Sequence, residues 1–334
     1  MKTKILIILI STILILGCKH SHYPYTKISG FAQGTTYHIT YENKTDKNYK
    51  NQIDSILNDF DESLSEYVPS SIISKINRND PNVKIDKHFK IVFNKSKEIT
   101  NNSEGTFDIT VGPLVNAWGF GPEKKAKINR ALIDSLLQFI GMNKVRIEGD
   151  KLIKEKPGIK IDVNAIAQGY SVDVVCEFFE KERIKNYLVE IGGELKAKGK
   201  NPKGHLWRVG IDKPVEGNDA PGESIQAILE FTNKAMSTSG NYRKFYIENG
   251  VKYAHHIDPH TGYPTRNNLL SVTIIADDCI TADGNATACL VMGLEKTRKY
   301  LQKHKELDAF LVYSDENGNF KTEYTPSVKK WLTK

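Results

Sequence analysis

The sequence predicts an α+β fold. Segments with the period-two alternation of half-buried strands outnumber those that a strict strand–helix–strand succession would supply, so a doubly wound sheet is disfavoured. In addition, no repeat, low-complexity tract or clear interdomain linker interrupts the chain of 334 residues, which is long enough to bury a substantial core. In order, strands are expected at 28–31 and 36–41 on either side of Ala32-Gln33-Gly34-Thr35. Ile53, Ile56, Leu57, Phe60 and Leu64 follow helical spacing, which predicts a helix over 46–66. Further helices are expected at 88–101, 130–140, 165–182, 282–292 and 295–304. Strands are expected at 159–162, 187–191, 206–211, 225–231, 270–276, 309–313 and 320–324, with 214–222 an exposed loop.

The N-terminus has its own signature. Lys2 and Lys4 precede the apolar run 5–16, which is short for a membrane span, and Ile15-Leu16-Gly17-Cys18 follows. This reads as a signal peptide over 1–17. A small residue before cysteine resembles the lipobox of bacterial lipoproteins, which implies cleavage before Cys18, lipidation of Cys18 and a lipidated tether over 18–26, leaving 27–334 as the folded domain. The expected place is the bacterial cell envelope, with the lipid anchor in the inner membrane on the periplasmic side. Of the four cysteines, Cys176, Cys279 and Cys289 then remain in apolar segments, an odd set that argues for buried thiols rather than a disulfide framework. Loss of Lys2 and Lys4 with the leader lowers the formal charge from +7 to +5. That charge is spread along the chain without a basic block, so no nucleic-acid partner is expected.

Several segments could carry chemistry. Val251, Tyr253, His255 and Ile257 alternate with Lys252, Ala254 and His256, which places His255 on the apolar face of a strand and His256 with Lys252. Asp258-Pro259 and Thr261-Gly262 then end the strand in a turn, and Asp258 reads as a shaper of that turn. Thr281 is a plausible cap for a helix in which Asp283 and Thr287, four apart, share a face. Two oxygens one turn apart suit Mg²⁺, although an acid stabilising the helix dipole and a threonine bonding back to a carbonyl is the plainer reading of that pair alone. Residues 162–170 pass from strand to helix, whose free N–H groups could receive a phosphate. There is no GxGxxG, no GxxxxGK[ST], no GxSxG and no zinc-type Cys/His spacing. Phe107 in 104–113 and Trp118 in 117–122 could wall a flat ligand or belong to an aromatic core. Residues 191–194 and 237–243 read mostly as turns.

Each motif alone is weak. Together, QGTTY at 33–37, GTFDITVGPLVNAWGFGP at 105–122, IDVNAIAQGYSVD at 161–173, IGGELKAKG at 191–199, STSGNYR at 237–243, HHIDPHTGYP at 255–264 and SVTIIADDCITADGNAT at 271–287 closely resemble the ApbE family of flavin transferases. The resemblance covers nearly the whole mature chain. It implies an α+β, mixed fold with the flavin cleft between two parts of one chain. It further implies Mg²⁺-dependent transfer of the FMN part of FAD to a threonine or serine hydroxyl of a target protein, with release of AMP. FAD enters as substrate, and the partners implied are flavin-acceptor subunits of envelope electron-transfer complexes. Carried over by position, Asp283, Thr287 and the main-chain carbonyl of Ala165 match Mg²⁺ ligands, and Gln33, Tyr67, Thr106, Phe107, Asp108, Asp162, Gln168 and Ile257 match FAD-lining positions. His255 is the candidate general base toward the acceptor hydroxyl. Gln33 stands where methionine is common, Gln168 where lysine or glutamate is, His260 where arginine or glutamine is, and Ala286 where some members carry an acid. Two other activities remain open on the residues: splitting of FAD by water to FMN and AMP, and flavin binding without turnover.

Overall fold

A computed structural model describes residues 24–215, 222–242, 245–248 and 250–333. The signal segment, Cys18 and most of the tether lie outside these residues. Strand β1 (Tyr25–Ala32) begins within the segment read as tether and pairs with β2 (Thr35–Glu42). Their two-residue turn puts both Gln33 and Gly34 at positive φ, 54° and 73°, which matches the right-handed twist of a hairpin. Three helices follow: α1 (Lys50–Leu64), α2 (Ile72–Asn77) and α3 (Lys87–Asn102). The stripe Ile53, Leu57, Phe60 and Leu64 buries one face of α1, as its spacing predicts. Ser71 and Asp86 cap α2 and α3 by accepting from Ser74 N and Phe89 N.

A smaller group of elements comes next: α4 (Gly112–Trp118), α5 (Arg130–Leu137) and the hairpin β3 (Val145–Glu148) with β4 (Lys151–Lys154). Helix α6 (Ala167–Lys181) then leads into β5 (Tyr187–Ile191) and β6 (Glu194–Lys198), joined by Gly192-Gly193 as a second two-residue turn. The rest of the chain is β7 (Trp207–Asp212), β8 (Ile225–Phe231), β9 (Lys234–Gly240), β10 (Phe245–Glu248), β11 (Val251–Ala254), β12 (Leu269–Ala276), α7 (Cys279–Met292), α8 (Leu294–Lys303), β13 (Asp308–Ser314) and β14 (Phe320–Tyr324). Eight strands form one sheet in the order β1-β2-β5-β6-β9-β12-β13-β14, with every neighbouring pair antiparallel. An α+β class follows, as the strand count predicts.

Helices α6 and α7 pack on the middle of the sheet, with Val172, Val175 and Phe179 against Tyr37, Val189 and Ile191, and Ala282, Ala286 and Leu290 against Val272 and Ile274. The other face is covered by the β7–β8 hairpin, where Trp207, Val209, Leu229 and Phe231 meet Leu195, Met236, Ile275 and Phe310. Each large apolar side chain so buried is worth about 1.5–3 kcal/mol relative to exposure. A separate cluster of Leu114, Trp118, Ile133, Ile140 and Ile257 ties α4 and α5 to the turn after β11.

Three local expectations are corrected. Residues 159–162 form no strand, although Ile159 and Ile161 are fully buried. Both backbone groups of Ile161 are taken by the Asn77 side-chain amide, at 2.8 Å each, and pairing stops at an isolated parallel bridge between Lys160 and Val111, with Asp162 N bonding Ile109 O at 2.7 Å. Conversely, 237–240, read as turn, belongs to β9 at the centre of the sheet between β6 and β12. The third concerns the histidines. Strand β11 stops at Ala254, so the alternation does not reach them: His256 is buried at 6 % exposure and His255 is half-buried.

Candidate active site

Helix α7 runs through the interior because its residues are small or apolar on nearly every side, and only a helix of that kind is buried all round. Its cap is Asp278, which accepts from Thr281 N at 2.9 Å, rather than Thr281 itself. Asp283 therefore projects inside the protein, at 6 % exposure. Its Oδ2 accepts from Gly169 N at 2.9 Å and its Oδ1 from the Ser237 hydroxyl at 3.2 Å. Burial pushes its carboxyl above the usual range, and these two donors hold the rise back.

Gly169 is required at the crossing of α6 and α7. A Cβ there would stand 2.4 Å from the Cys279 carbonyl oxygen and 2.6 Å from Asp283 Cβ. Its N–H would bond the carbonyl of Ala165, four residues back, in a continuous helix. The ladder of α6 begins only with Tyr170 N to Ile166 O, so Gly169 N–H is one of the unladdered donors of the first turn and bonds Asp283, and the Ala165 carbonyl precedes the helix. One turn along α7, Thr287 Oγ1 lies 3.0 Å from Ser239 Oγ. The hydroxyls of Ser237 and Ser239 thus point at α7, while that of Thr238, on the opposite face, lies 2.8 Å from Thr273 Oγ1 of the neighbouring strand.

The predicted flavin positions gather around this crossing. The Ser171 hydroxyl donates to the Gln168 carbonyl at 2.7 Å and lies 3.1 Å from Gln33 Oε1, bringing the β1–β2 turn to the start of α6. Gln33 Nε2 is buried without a hydrogen-bond partner, on a residue whose positive φ is uncommon for a non-glycine. Gln168 lies against the β5–β6 turn, where a Cβ on Gly192 would fall 2.0 Å from Gln168 Nε2. Thr106 donates to Ser103 O at 3.1 Å and approaches Ala288 O at 3.5 Å, so this buried segment abuts α7. Phe107 belongs to the core among α1, α2 and α3.

Asp108 spends its side chain on structure. Oδ1 accepts from Thr110 N at 2.8 Å and from the Thr110 hydroxyl at 2.6 Å, and Oδ2 from Met142 N at 2.9 Å. Asp162 Oδ1 accepts from both Asn164 N and Asn164 Nδ2 at 2.9 Å. Glu66 sits beside it, and burial together with the Asp162 charge drives the Glu66 carboxyl well above the usual range. Tyr67, its neighbour, is 63 % exposed.

The turn after β11 forms a second side. Asp258 accepts from His260 N at 2.9 Å and from the Thr261 hydroxyl at 3.2 Å, and Trp118 Nε1 donates to Gly262 O at 2.8 Å. Asp258 thus shapes the turn, as expected. Ile257 is buried and bridges Pro264. The rings of Trp118, Tyr253, Tyr246 and Phe120 stack in succession with centroids 5.4 Å apart, and Phe120 meets His255 edge-on at 6.3 Å. His260 joins the two sides: a Cβ on Gly105 would stand 2.9 Å from its ring, and both residues line a cavity of about 400 Å³ with Asp108 and Met142. A hollow of about 450 Å³ beyond α6 contains none of the predicted residues. Its Asp173 is already satisfied by Lys196, Cys279 N and Ile280 N.

Sequence reading missed Glu194, Ser237, Ser239 and Glu66. Only the Ser-Thr-Ser run carried a signal, small hydroxyls in a position that pairs as a strand. Among the described residues no group of three or more His, Cys, Asp and Glu side chains is arranged to hold a metal. The expected set of one carboxylate, one hydroxyl and one carbonyl is of a different kind.

The fold is an antiparallel α+β protein with a buried carboxylate, Asp283, at the start of helix α6 where its two central helices cross. A sequence model of the ApbE family matches residues 33–311, and the chain belongs to that family. It is 35 % identical over 318 residues, 91 % of this chain and 90 % of the relative, to an FAD:protein FMN transferase of Haemophilus influenzae. A protein of the same description from Vibrio cholerae is 34 % identical over 98 % of this chain and 99 % of its own length. The solved flavin transferase ApbE from Vibrio cholerae superposes with a TM-score of 0.83 at 34 % identity, covering 92 % of this chain and 99 % of that one. The chain is an enzyme of the transferase class.

Proposed function

We propose that this chain transfers the FMN moiety of FAD to a threonine or serine hydroxyl of a target protein and releases AMP, with Mg²⁺ as cofactor. The observation that carries the reading is the crossing of α6 and α7, where buried Asp283 meets the first turn of α6 through Gly169 N, next to Ala165. Relatives across nearly the whole chain are described as FAD:protein FMN transferases, which supports the same substrate here.

The residues fit the cation. Asp283, Thr287 and the Ala165 carbonyl are hard oxygen donors, the kind Mg²⁺ takes with water and phosphate. When bound, Mg²⁺ supplies charge neutralisation at the pyrophosphate and at the departing AMP. The 15-residue helix α6 turns its positive end toward the same phosphates, while its Ala167 and Gly169 N–H groups are already held by Val163 O and Asp283. Gln33 Nε2, buried and unpartnered, is a donor available to the flavin side of the ligand.

His255 is assigned as general base. It takes the acceptor's hydroxyl proton as that oxygen bonds the FMN-side phosphorus and the bond from phosphorus to the AMP-side oxygen breaks. Half-burial suits a base that must meet a protein hydroxyl, whereas buried His256 supports the turn. The localisation proposed is the bacterial cell envelope, lipid-anchored through Cys18 on the periplasmic side of the inner membrane, with acceptors among envelope electron-transfer subunits.

The test incubates the protein with FAD and MgCl₂, with and without an acceptor, and follows AMP and in-gel flavin fluorescence. Fluorescence fixed on the acceptor supports transfer. AMP without acceptor supports hydrolysis instead, and tight FAD binding with neither signal supports storage.

A further inference from the structure

Ser237 has one hydroxyl hydrogen and two carboxylate neighbours, Asp283 Oδ1 at 3.2 Å and Glu194 Oε1 at 3.3 Å. Glu194 opens β6, directly after the Gly192-Gly193 turn, and is only 9 % exposed. Its second oxygen, Oε2, is buried with no hydrogen-bond partner. Among the described residues the charged groups acting most on Glu194 are themselves acids, Asp283 and Glu190. A buried carboxylate is normally paired with a cation or saturated with donors, and here two carboxylates share a single hydroxyl. The lone pairs of Glu194 Oε2 therefore lack the positive partner that their burial demands.

We propose that Glu194 is a further oxygen donor of the cation site, so that the divalent ion is held by two carboxylates, Asp283 from α7 and Glu194 from β6, with the Ser237 hydroxyl spacing them. The inference rests on the reading of Asp283 as a cation ligand. It assigns a role to the β5–β6 turn: a two-glycine reversal that delivers an acidic side chain to the helix crossing, next to Gln168. It also makes the cation a bond between sheet and helix, because its donors come from β6, from α7 and from the entry to α6. Mg²⁺ and Mn²⁺ fit such a set, since both favour carboxylate and carbonyl oxygens.

The experiment titrates the full chain, without FAD, with MgCl₂ and with MnCl₂ by calorimetry. It then compares thermal unfolding in chelator and in saturating MgCl₂ for wild type, Glu194→Gln and Asp283→Ala. The proposal expects Glu194→Gln to weaken both ions at least ten-fold. In chelator Glu194→Gln should unfold at the same or a higher temperature than wild type, because a buried charge is gone. In MgCl₂ the order should reverse, since only wild type gains the full stabilisation of bound ligand. Wild-type affinity in Glu194→Gln, with affinity lost in Asp283→Ala, overturns the role of Glu194 and leaves the cation reading standing. No ion binding by wild type sinks both. Should glutamine prevent folding, Glu194→Asp carries the test: a carboxylate drawn back by one methylene lowers ion affinity if it is a donor and leaves it unchanged if it is not.

Discussion

Around Asp283 the polar groups sit on long, buried elements, and each distance is set by packing between helix and sheet. Around His255 the elements are short: β10 and β11 have four residues each, the turn after them is held by Asp258, and four stacked aromatic rings stand behind it. The first region is buried and charged, and the second is half-open and aromatic. An enzyme that holds a nucleotide while admitting a protein needs both kinds of surface. Charge stabilisation requires a low-dielectric, preorganised setting, whereas proton removal from a partner requires reach.

That contrast predicts different failures on the two sides. Asp283→Ala should lower Mg²⁺-dependent AMP release on the order of 1,000-fold, because several kcal/mol of charge stabilisation disappear. Release that stays Mg²⁺-dependent at an undiminished rate would remove Asp283 from the site. His255→Ala should lower transfer by about 100- to 10,000-fold while FAD affinity, read by flavin fluorescence, stays unchanged. His256→Ala should do the reverse, costing about 1–3 kcal/mol in urea unfolding with the transfer rate retained. Equal kinetic losses in the two variants would erase the distinction between half-buried and buried histidine.

A smaller effect is expected from Gly169→Ala. The added Cβ must push the Cys279 carbonyl or Asp283 aside, which costs about 1–3 kcal/mol and weakens Mg²⁺ binding through Asp283. Unaltered Mg²⁺ affinity at reduced stability would show that the crossing tolerates movement. The smallest lies far from either region. Lys154 Nζ donates to Ile76 O and Ile159 O, and burial lowers its pKa to about 8. Above that pH the native state has released a proton that the unfolded chain keeps until about pH 10.4, so this group's contribution to stability rises with pH across the window. Lys154→Met should lack that rise when urea midpoints are followed from about pH 7.5 to 10.

Much of this was legible in the residues. The alternation of β2 and β5 and the helical spacing of α1 gave their elements because one face of each is buried, whereas β12 is an apolar run buried on both faces. Asp283 and Thr287 were visible as a one-turn pair, yet the weight of that pair came from β9, whose Ser237 and Ser239 were chosen for their hydroxyls at the cost of strand-like composition. Residues 159–162 show the opposite error: apolar alternation that pairs only in an isolated bridge, because Asn77 bonds the backbone of Ile161. The histidines failed for a local reason. The chain turns after Ala254, and Thr265 N bonds His256 O at 2.8 Å, so period two no longer reports which side is inward.

The central claim is that the acceptor's hydroxyl, not water, receives the FMN phosphorus. Mass spectrometry of an acceptor after incubation with the enzyme, FAD and MgCl₂ tests it directly. The account predicts FMN attached through a phosphoester to one threonine or serine, with AMP formed in equal amount and none of the adduct when Mg²⁺ is chelated. Free FMN and AMP, with the acceptor unmodified, would contradict it.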